Sequence, residues 1–217
     1  LEDGKKLHAE NPDYYYLNTD TKILCEYVLR PYLRQMTGES FIIDSEKKMS
    51  FTREQLVEVL TYIKDCYDGG VFEPAEDSAT FKGQIHTNPK GMDGKFVFAY
   101  GPSSSINLLM DAVPEAECTV VQMPMAEDRV NDGFFADTPQ YMTVNKNSEH
   151  VEEAVDFLNY FYNNTEAQET LKDVRSIPPT STARQLCADK GLLNQTVVDA
   201  VDLAAGLNGK SDKGYTT

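Results

Sequence analysis

Apolar positions along the chain change period from segment to segment, and each change marks a predicted element. Leu1 to Glu10 reads as the end of a helix that stops at Asn11-Pro12. Tyr14-Tyr15-Tyr16-Leu17 is a short run suited to a buried strand, and Asn18-Thr19-Asp20 supplies helix-capping side chains directly after it. In the helix that follows, Ile23, Leu24, Tyr27 and Val28 keep three-and-four spacing; Pro31 should kink it and Gly38 should end it. Phe41 to Asp44 fits a short extended piece. Thr52-x-x-Gln55 is a capping box, Leu56, Val59, Leu60 and Ile63 form one helical face, and Gly69-Gly70 terminates the helix.

From Val71 to Gly94 the pattern is polar and broken by Pro74, Gly83, Pro89, Gly91 and Gly94, which predicts a long loop with about one turn of helix. Lys95 to Tyr100 then reads as a strand, and Gly101-Pro102-Ser103-Ser104-Ser105 opens a helix through Asn107, Leu108 and Met110. Further strands are predicted at Cys118 to Met123 and Gln140 to Val144. Ser148 is the expected cap of a long helix with the face Val151, Ala154, Val155, Leu158 and Tyr162, and Thr165-x-x-Gln168 is a second capping box. After Ile177-Pro178-Pro179, helices are expected at Ser181 to Lys190 and Gln195 to Leu207. Strands alternating with helices predict an α/β fold with a largely parallel sheet.

Composition narrows the function more than the fold. Thirty-five acidic side chains against 20 basic ones give a formal charge of -15. Such a chain lacks the clustered cations that nucleic acid or an anionic membrane surface demands. No apolar run approaches the roughly 20 residues of a membrane span. The segment Leu1-Glu2-Asp3-Gly4 has no signal-peptide character, which leaves a cytoplasmic chain or a mature, trimmed one. Cys25, Cys66, Cys118 and Cys187 lie dozens of residues apart with no CxxC, so buried free thiols are expected.

The residues that catalysis needs do not assemble. His8, His86 and His150 have no metal-ligating partner three or four residues away, and neither a metal site nor a cofactor is expected. GxSxG, HExxH, Walker and GxGxxG patterns are missing. The sequons Asn163-Asn164-Thr165 and Asn194-Gln195-Thr196 read as structural. What remains is Tyr100 at a strand end, followed by Ser103 and Ser104. In open α/β sheets, ligands bind beyond the carboxyl ends of strands. Tyr100 either stacks on a sugar face or fills the core; Ser103 and Ser104 either bind hydroxyls or only cap a helix. Asp20 and Thr21 stand in the same context after the first strand, and there too capping competes with ligand binding.

Several segments together resemble the extracellular solute-binding proteins of family 1, the maltose-binding-protein relatives. Gly94-Lys95-Phe96-Val97-Phe98-Ala99-Tyr100-Gly101-Pro102 is similar to that family's strand ending in Gly-Pro-Trp, and Val120 to Pro124 to the strand that follows it. Val144 to Ser148 with Ala154, Phe157 and Leu158 resembles its helix entry; Thr165 to Gln168 and Ile177-Pro178 resemble later signals. The chain departs in having Ser103 where an aromatic is usual, and in having no Trp. Stacking on a sugar would then fall to Tyr100, Tyr141, Phe134 or Phe135.

The resemblance implies a type II periplasmic-binding-protein-like α/β fold, mainly its second lobe, with the N-terminal lobe outside the chain. It divides the chain into a second-lobe core, 1–132, a hinge crossing and return, 133–177, and C-terminal helices, 178–217. It further implies noncovalent binding of a sugar or similar solute by Asp20, Thr21, Tyr100, Ser103, Ser104, Phe135 and Asp137. The expected protein is a monomer, extracytoplasmic as a lipoprotein or periplasmic protein, that hands its solute to ABC permease subunits. Two other classes remain open: a carbohydrate-active hydrolase using Asp132 and Asp137 as acid and base, and an interaction domain that docks a partner through the loop Val71 to Gly94.

Overall fold

A computed structural model describes residues 1–43, 46–134, 142–174 and 176–207. Helix α1 (Glu2–Glu10) runs into strand β1 (Tyr15–Leu17), then into α2 (Thr21–Ile23), a π-helical stretch Leu24–Leu29 and α3 (Arg30–Thr37). A hairpin of β2 (Ile42–Ile43) and β3 (Lys48–Met49) leads to α4 (Arg53–Asp68), α5 (Ala75–Phe81), a 3-10 turn Ile85–Thr87 and α6 (Pro89–Met92). Strand β4 (Phe96–Phe98), a 3-10 turn Ser103–Ser105 and α7 (Ile106–Ala112) follow. The helices α8 (Val151–Asn163), α9 (Thr165–Leu171), α10 (Ser181–Asp189) and α11 (Gln195–Ala205) complete the described chain.

The short sheet fixes the geometry that matters. β1 pairs in parallel with β4, Tyr15 opposite Phe96 and Leu17 opposite Phe98, and Phe72 bridges Leu17 in parallel on the other side. Leu17, Cys66, Val71 and Phe72 are buried together, with Tyr62 and Tyr100 packed against them. The core therefore sits where β1 meets the end of α4, and burying its apolar surface is the main force holding the sheet to the helices.

Local chemistry explains where the elements start and stop. Thr52 Oγ1 accepts from Gln55 N at 3.2 Å while Gln55 Oε1 accepts from Thr52 N at 2.9 Å, a reciprocal capping box. Pro31 lacks an N–H and its ring crowds the carbonyl four residues back; the wider π turn just before it takes up that misfit without ending the helix. Gly38 closes α3 in the left-handed conformation, φ 75°. The Gln35 side chain then gathers the distant segment 124–132. Its Nε2 donates to the Pro124 and Asp132 carbonyls at 3.1 and 3.4 Å, and its Oε1 accepts from Ala126 N at 2.8 Å. Gly133, at φ 70°, completes the wrap, because a Cβ there would lie 2.5 Å from the Pro31 carbonyl oxygen.

Several expectations need correction. Neither Cys118 to Met123 nor the described part of Gln140 to Val144 forms a ladder. Val121 is 55% exposed: β propensity becomes a strand only where a neighbouring edge accepts its hydrogen bonds, and among the described residues this segment has none. The expected loop Val71 to Gly94 is largely folded, into α5, the 3-10 turn and α6. Asn164, not Thr165, caps α9, accepting from Glu166 N and Ala167 N at 2.9 and 3.2 Å, while the Gln168 amide turns back to the Phe161 carbonyl. His150 is the N-cap residue of α8, and Ser148 Oγ instead accepts its N–H at 3.1 Å. Cys66 and Cys187 are buried free thiols as expected, but Cys25 is exposed. Among the described residues no helix is long and apolar enough to cross a membrane.

Candidate functional site

Because β1 and β4 are parallel and in register, the chain leaves both at the same edge. Asn18-Thr19-Asp20-Thr21 and Tyr100-Gly101-Pro102-Ser103-Ser104 are thereby brought to one side of the sheet, as the sequence reading required.

A buried carboxylate anchors the first of these segments. Glu73 is fully buried, and its oxygens accept from Asn18 Nδ2 at 3.0 Å, from Asn88 Nδ2 at 3.0 and 3.1 Å, and from Lys90 Nζ at 3.1 Å. Its own N–H donates to the Leu17 carbonyl at 3.3 Å, tying the residue to the end of β1. Lys90 also donates to Asp77 at 2.7 Å. Burial works against the Lys90 ammonium, but the bonds to Asp77 and Glu73 outweigh it and raise its pKa. Beside this cluster, Thr19 is fully buried with its hydroxyl 3.1 Å from the Tyr67 hydroxyl.

The predicted residues divide by role. Asp20 does cap: its Oδ1 accepts from Ile23 N at 2.7 Å, and it packs beneath the Gly83 turn, where a Cβ would come within 2.9 Å of its carboxyl carbon. Thr21, next to it, is exposed. Tyr100 is half-buried and belongs to the core, its ring 6.1 Å from that of Tyr27. Burial, with a smaller contribution from Cys66, pushes its hydroxyl up to about 12. Neither Ser103 nor Ser104 makes a side-chain cap; the Ser103 hydroxyl lies 2.7 Å from that of Ser176. Phe135 and Asp137, and Tyr141 with them, lie outside the described residues. Of the pair Asp132 and Asp137, the second likewise lies outside the described residues.

Sequence reading missed Ser176 and Glu73. Ser176 has φ 82° and Lys172 φ 50°, left-handed values in residues other than glycine, and nothing in the sequence marks that turn. The turn is held against α7: Asn107 Nδ2 donates to the Asp173 carbonyl at 3.0 Å, Asn194 N to Asp173 Oδ2 at 2.5 Å, and Asn194 Nδ2 to Asn107 Oδ1 at 2.8 Å. Between them opens a crevice of about 570 Å³, lined by Asn107, Met110, Asp111, Asp173, Val174 and Asn194 among others. It begins one helical turn beyond Ser103. Among the described residues no three His, Cys, Asp or Glu side chains converge as a metal site would need.

A parallel α/β core with hydroxyl, amide and aromatic groups at the strands' carboxyl edge is an architecture of the periplasmic-binding-protein type. Solved structures share the fold. One, 22% identical with a TM-score of 0.87, is a periplasmic oligogalacturonide-binding protein from Yersinia enterocolitica in complex with saturated digalacturonic acid; the match covers 99% of this chain and 55% of that one. A second is a periplasmic solute-binding protein from Pectobacterium atrosepticum, 18% identical with a TM-score of 0.80, matched over 96% of this chain and 53% of its own. A de novo designed cysteine esterase, 23% identical with a TM-score of 0.75 and matched over 96% and 52%, shares the fold alone. The chain thus spans about half the length of these proteins. No curated protein matches it. Residues 15–201 match the family model of the bacterial extracellular solute-binding proteins, and the chain belongs to that family.

Proposed function

We propose that this chain is the main ligand-bearing lobe of the sugar-binding component of an ABC importer, acting outside the cytoplasm and catalysing no reaction. The observation that carries the reading is the meeting of two polar segments, Asn18 to Thr21 and Tyr100 to Ser104, at the carboxyl edge of the parallel strands. Asp20, Thr21, Ser103 and Ser104 supply hydrogen-bonding groups there, with Tyr100 as an apolar wall and Phe135 and Asp137 completing the set. Carboxylate and hydroxyl oxygens at this edge suit a neutral sugar, whose hydroxyls can donate to them, better than a uronate.

A second lobe, contributed by residues beyond this chain, closes over that edge, with 1–132 as the core of the ligand-bearing lobe and 178–217 as its last helices. Residues 133–177 form the crossing to the other lobe and the return. The state of α8 supports this division. Its polar side chains Glu152, Asp156, Asn159 and Asn163 follow one stripe, Glu153 lies beside it, and the rest of the helix is largely apolar. Yet no residue of α8 is buried, and Val155, Phe157 and Tyr160 are 51%, 59% and 47% exposed. A helix apolar over most of its circumference is stable against a partner surface, not against water. The protein is a monomer anchored as a lipoprotein or free in a periplasm, and permease subunits are its macromolecular partners.

Titration calorimetry on the full-length polypeptide that carries this chain tests the reading. Galactobiose, maltose and digalacturonic acid are offered in turn, and at least one neutral disaccharide should bind at micromolar concentration or tighter. Asp20→Ala should weaken that binding about tenfold, a loss of about 1.4 kcal/mol. Absence of binding to every sugar, or full affinity in the variant, would refute it.

A further inference from the structure

Ser176 stands out among residues without an assigned role. Its backbone is held at φ 82°, a conformation that a side-chain-bearing residue adopts at a cost of about 1 to 3 kcal/mol and that concentrates where ligands bind. The strain has a visible result: it places the Ser176 hydroxyl 2.7 Å from that of Ser103, a residue 73 positions earlier. One of these hydroxyls donates to the other, which leaves one O–H and several lone pairs for a third party. Adjacent hydroxyls of a sugar ring lie at a similar spacing, about 2.8 Å, so such a pair can meet a vicinal diol oxygen for oxygen.

The surroundings extend the match. The crevice of about 570 Å³ lies alongside, between α7 and the turn that carries Ser176, and falls within the range of small-molecule sites. Leu108, Met110, Pro114 and Val174 offer apolar surface for the C–H face of a sugar, while Asp111 adds an exposed carboxylate to the lining; the Asp173 carboxylate is buried and already accepts from Asn194 N. A ligand carboxylate entering there would meet like charge.

Resting on the reading of the chain as a sugar-binding lobe, we propose that the Ser103–Ser176 hydroxyl pair and the adjoining crevice form a subsite for a neutral sugar unit with vicinal hydroxyls, and that Asp111 excludes uronates from it. Ser176 is then a specificity-determining residue in the turn between α9 and α10.

The same full-length polypeptide is titrated with galactobiose and with digalacturonic acid, its charged counterpart, in the unaltered form and as Ser176→Gly, Ser176→Ala and Asp111→Asn. Ser176→Gly relieves the left-handed strain while deleting the hydroxyl, so its Tm should hold or rise while galactobiose affinity falls about tenfold; a merely structural serine would not separate the two. Ser176→Ala should lose the same affinity. Asp111→Asn, an exposed change, should raise digalacturonate affinity several-fold and leave galactobiose within about twofold. If the unaltered polypeptide binds neither disaccharide, nor maltose, the sugar-binding reading fails and the subsite with it. If galactobiose or maltose binds but the Ser176 variants retain affinity within about twofold, the subsite alone is overturned. If Asp111→Asn fails to admit digalacturonate, the assigned uronate exclusion is wrong.

Discussion

Replacing Glu73 by alanine tests how the candidate site is held in place. The carboxylate is fully buried and takes hydrogen bonds from the buried amides of Asn18 and Asn88 and from the Lys90 ammonium. Alanine strands two buried amide groups, at about 1 to 3 kcal/mol each for a donor left unsatisfied. Lys90 adds less, because its side chain is 33% exposed and water takes over part of the lost pairing. The sum is a loss of about 3 to 5 kcal/mol, which for a chain of this length lowers Tm by roughly 6 to 20 °C. Glu73→Gln keeps one acceptor oxygen and should cost roughly half as much, and Lys90→Met less than about 1 kcal/mol. Urea and thermal unfolding followed by far-ultraviolet circular dichroism give the three values. A Glu73→Ala chain within about 1 kcal/mol of the unaltered one would show that the buried network does not hold the strand end.

Three further outcomes follow from the packing. Gly133→Ala combines a φ of 70° with a Cβ 2.5 Å from the Pro31 carbonyl oxygen, and should cost about 2 to 4 kcal/mol in the same unfolding assay. Tyr100 has its hydroxyl raised by burial to about 12, and Tyr62 is raised further by burial and by its bond to Cys66. Since the unfolded phenols ionise near 10, the stability these groups contribute is complete below that pH and is lost as pH climbs toward 12. Near-ultraviolet phenolate absorbance should accordingly show these tyrosines ionising only with unfolding, and ionisation near 10 in the folded chain would contradict their burial. Finally, Phe157→Ser should change the stability of the 217-residue chain by less than about 0.5 kcal/mol but that of the full-length polypeptide by about 1 to 3 kcal/mol. Equal effects in the two would remove the case for a lobe lying on α8.

What the sequence made legible were features written in neighbouring residues. The capping box of Thr52 and Gln55, the stop at Gly38 and the strand–turn–helix from Phe96 to Met110 depend on side chains a few positions apart, and they formed as read. Cys118 to Met123 failed as a strand because its ladder depends on a partner edge, which local propensity does not encode. The candidate site shows the same division. Asp20, Thr21, Tyr100 and Ser103 can be singled out in the sequence because they follow strands, and of the two roles open to Tyr100 the structure gives it a place against the core. Glu73 and Ser176 act through contacts 55 and 73 residues distant, with Asn18 and Ser103, and a single sequence carries no mark of such pairings.

The clasp made by Gln35 sets how much change this corner of the surface tolerates. One amide pins both ends of the stretch from Pro124 to Asp132, so the segment's outline is set at its base and not along its length. Lengthening its tip around Asp128 would add only a few tenths of a kcal/mol of closure entropy, since that cost grows with the logarithm of loop size. Insertions at this corner of the molecule are therefore cheap while the glutamine stays in place, whereas losing the glutamine would release both ends together.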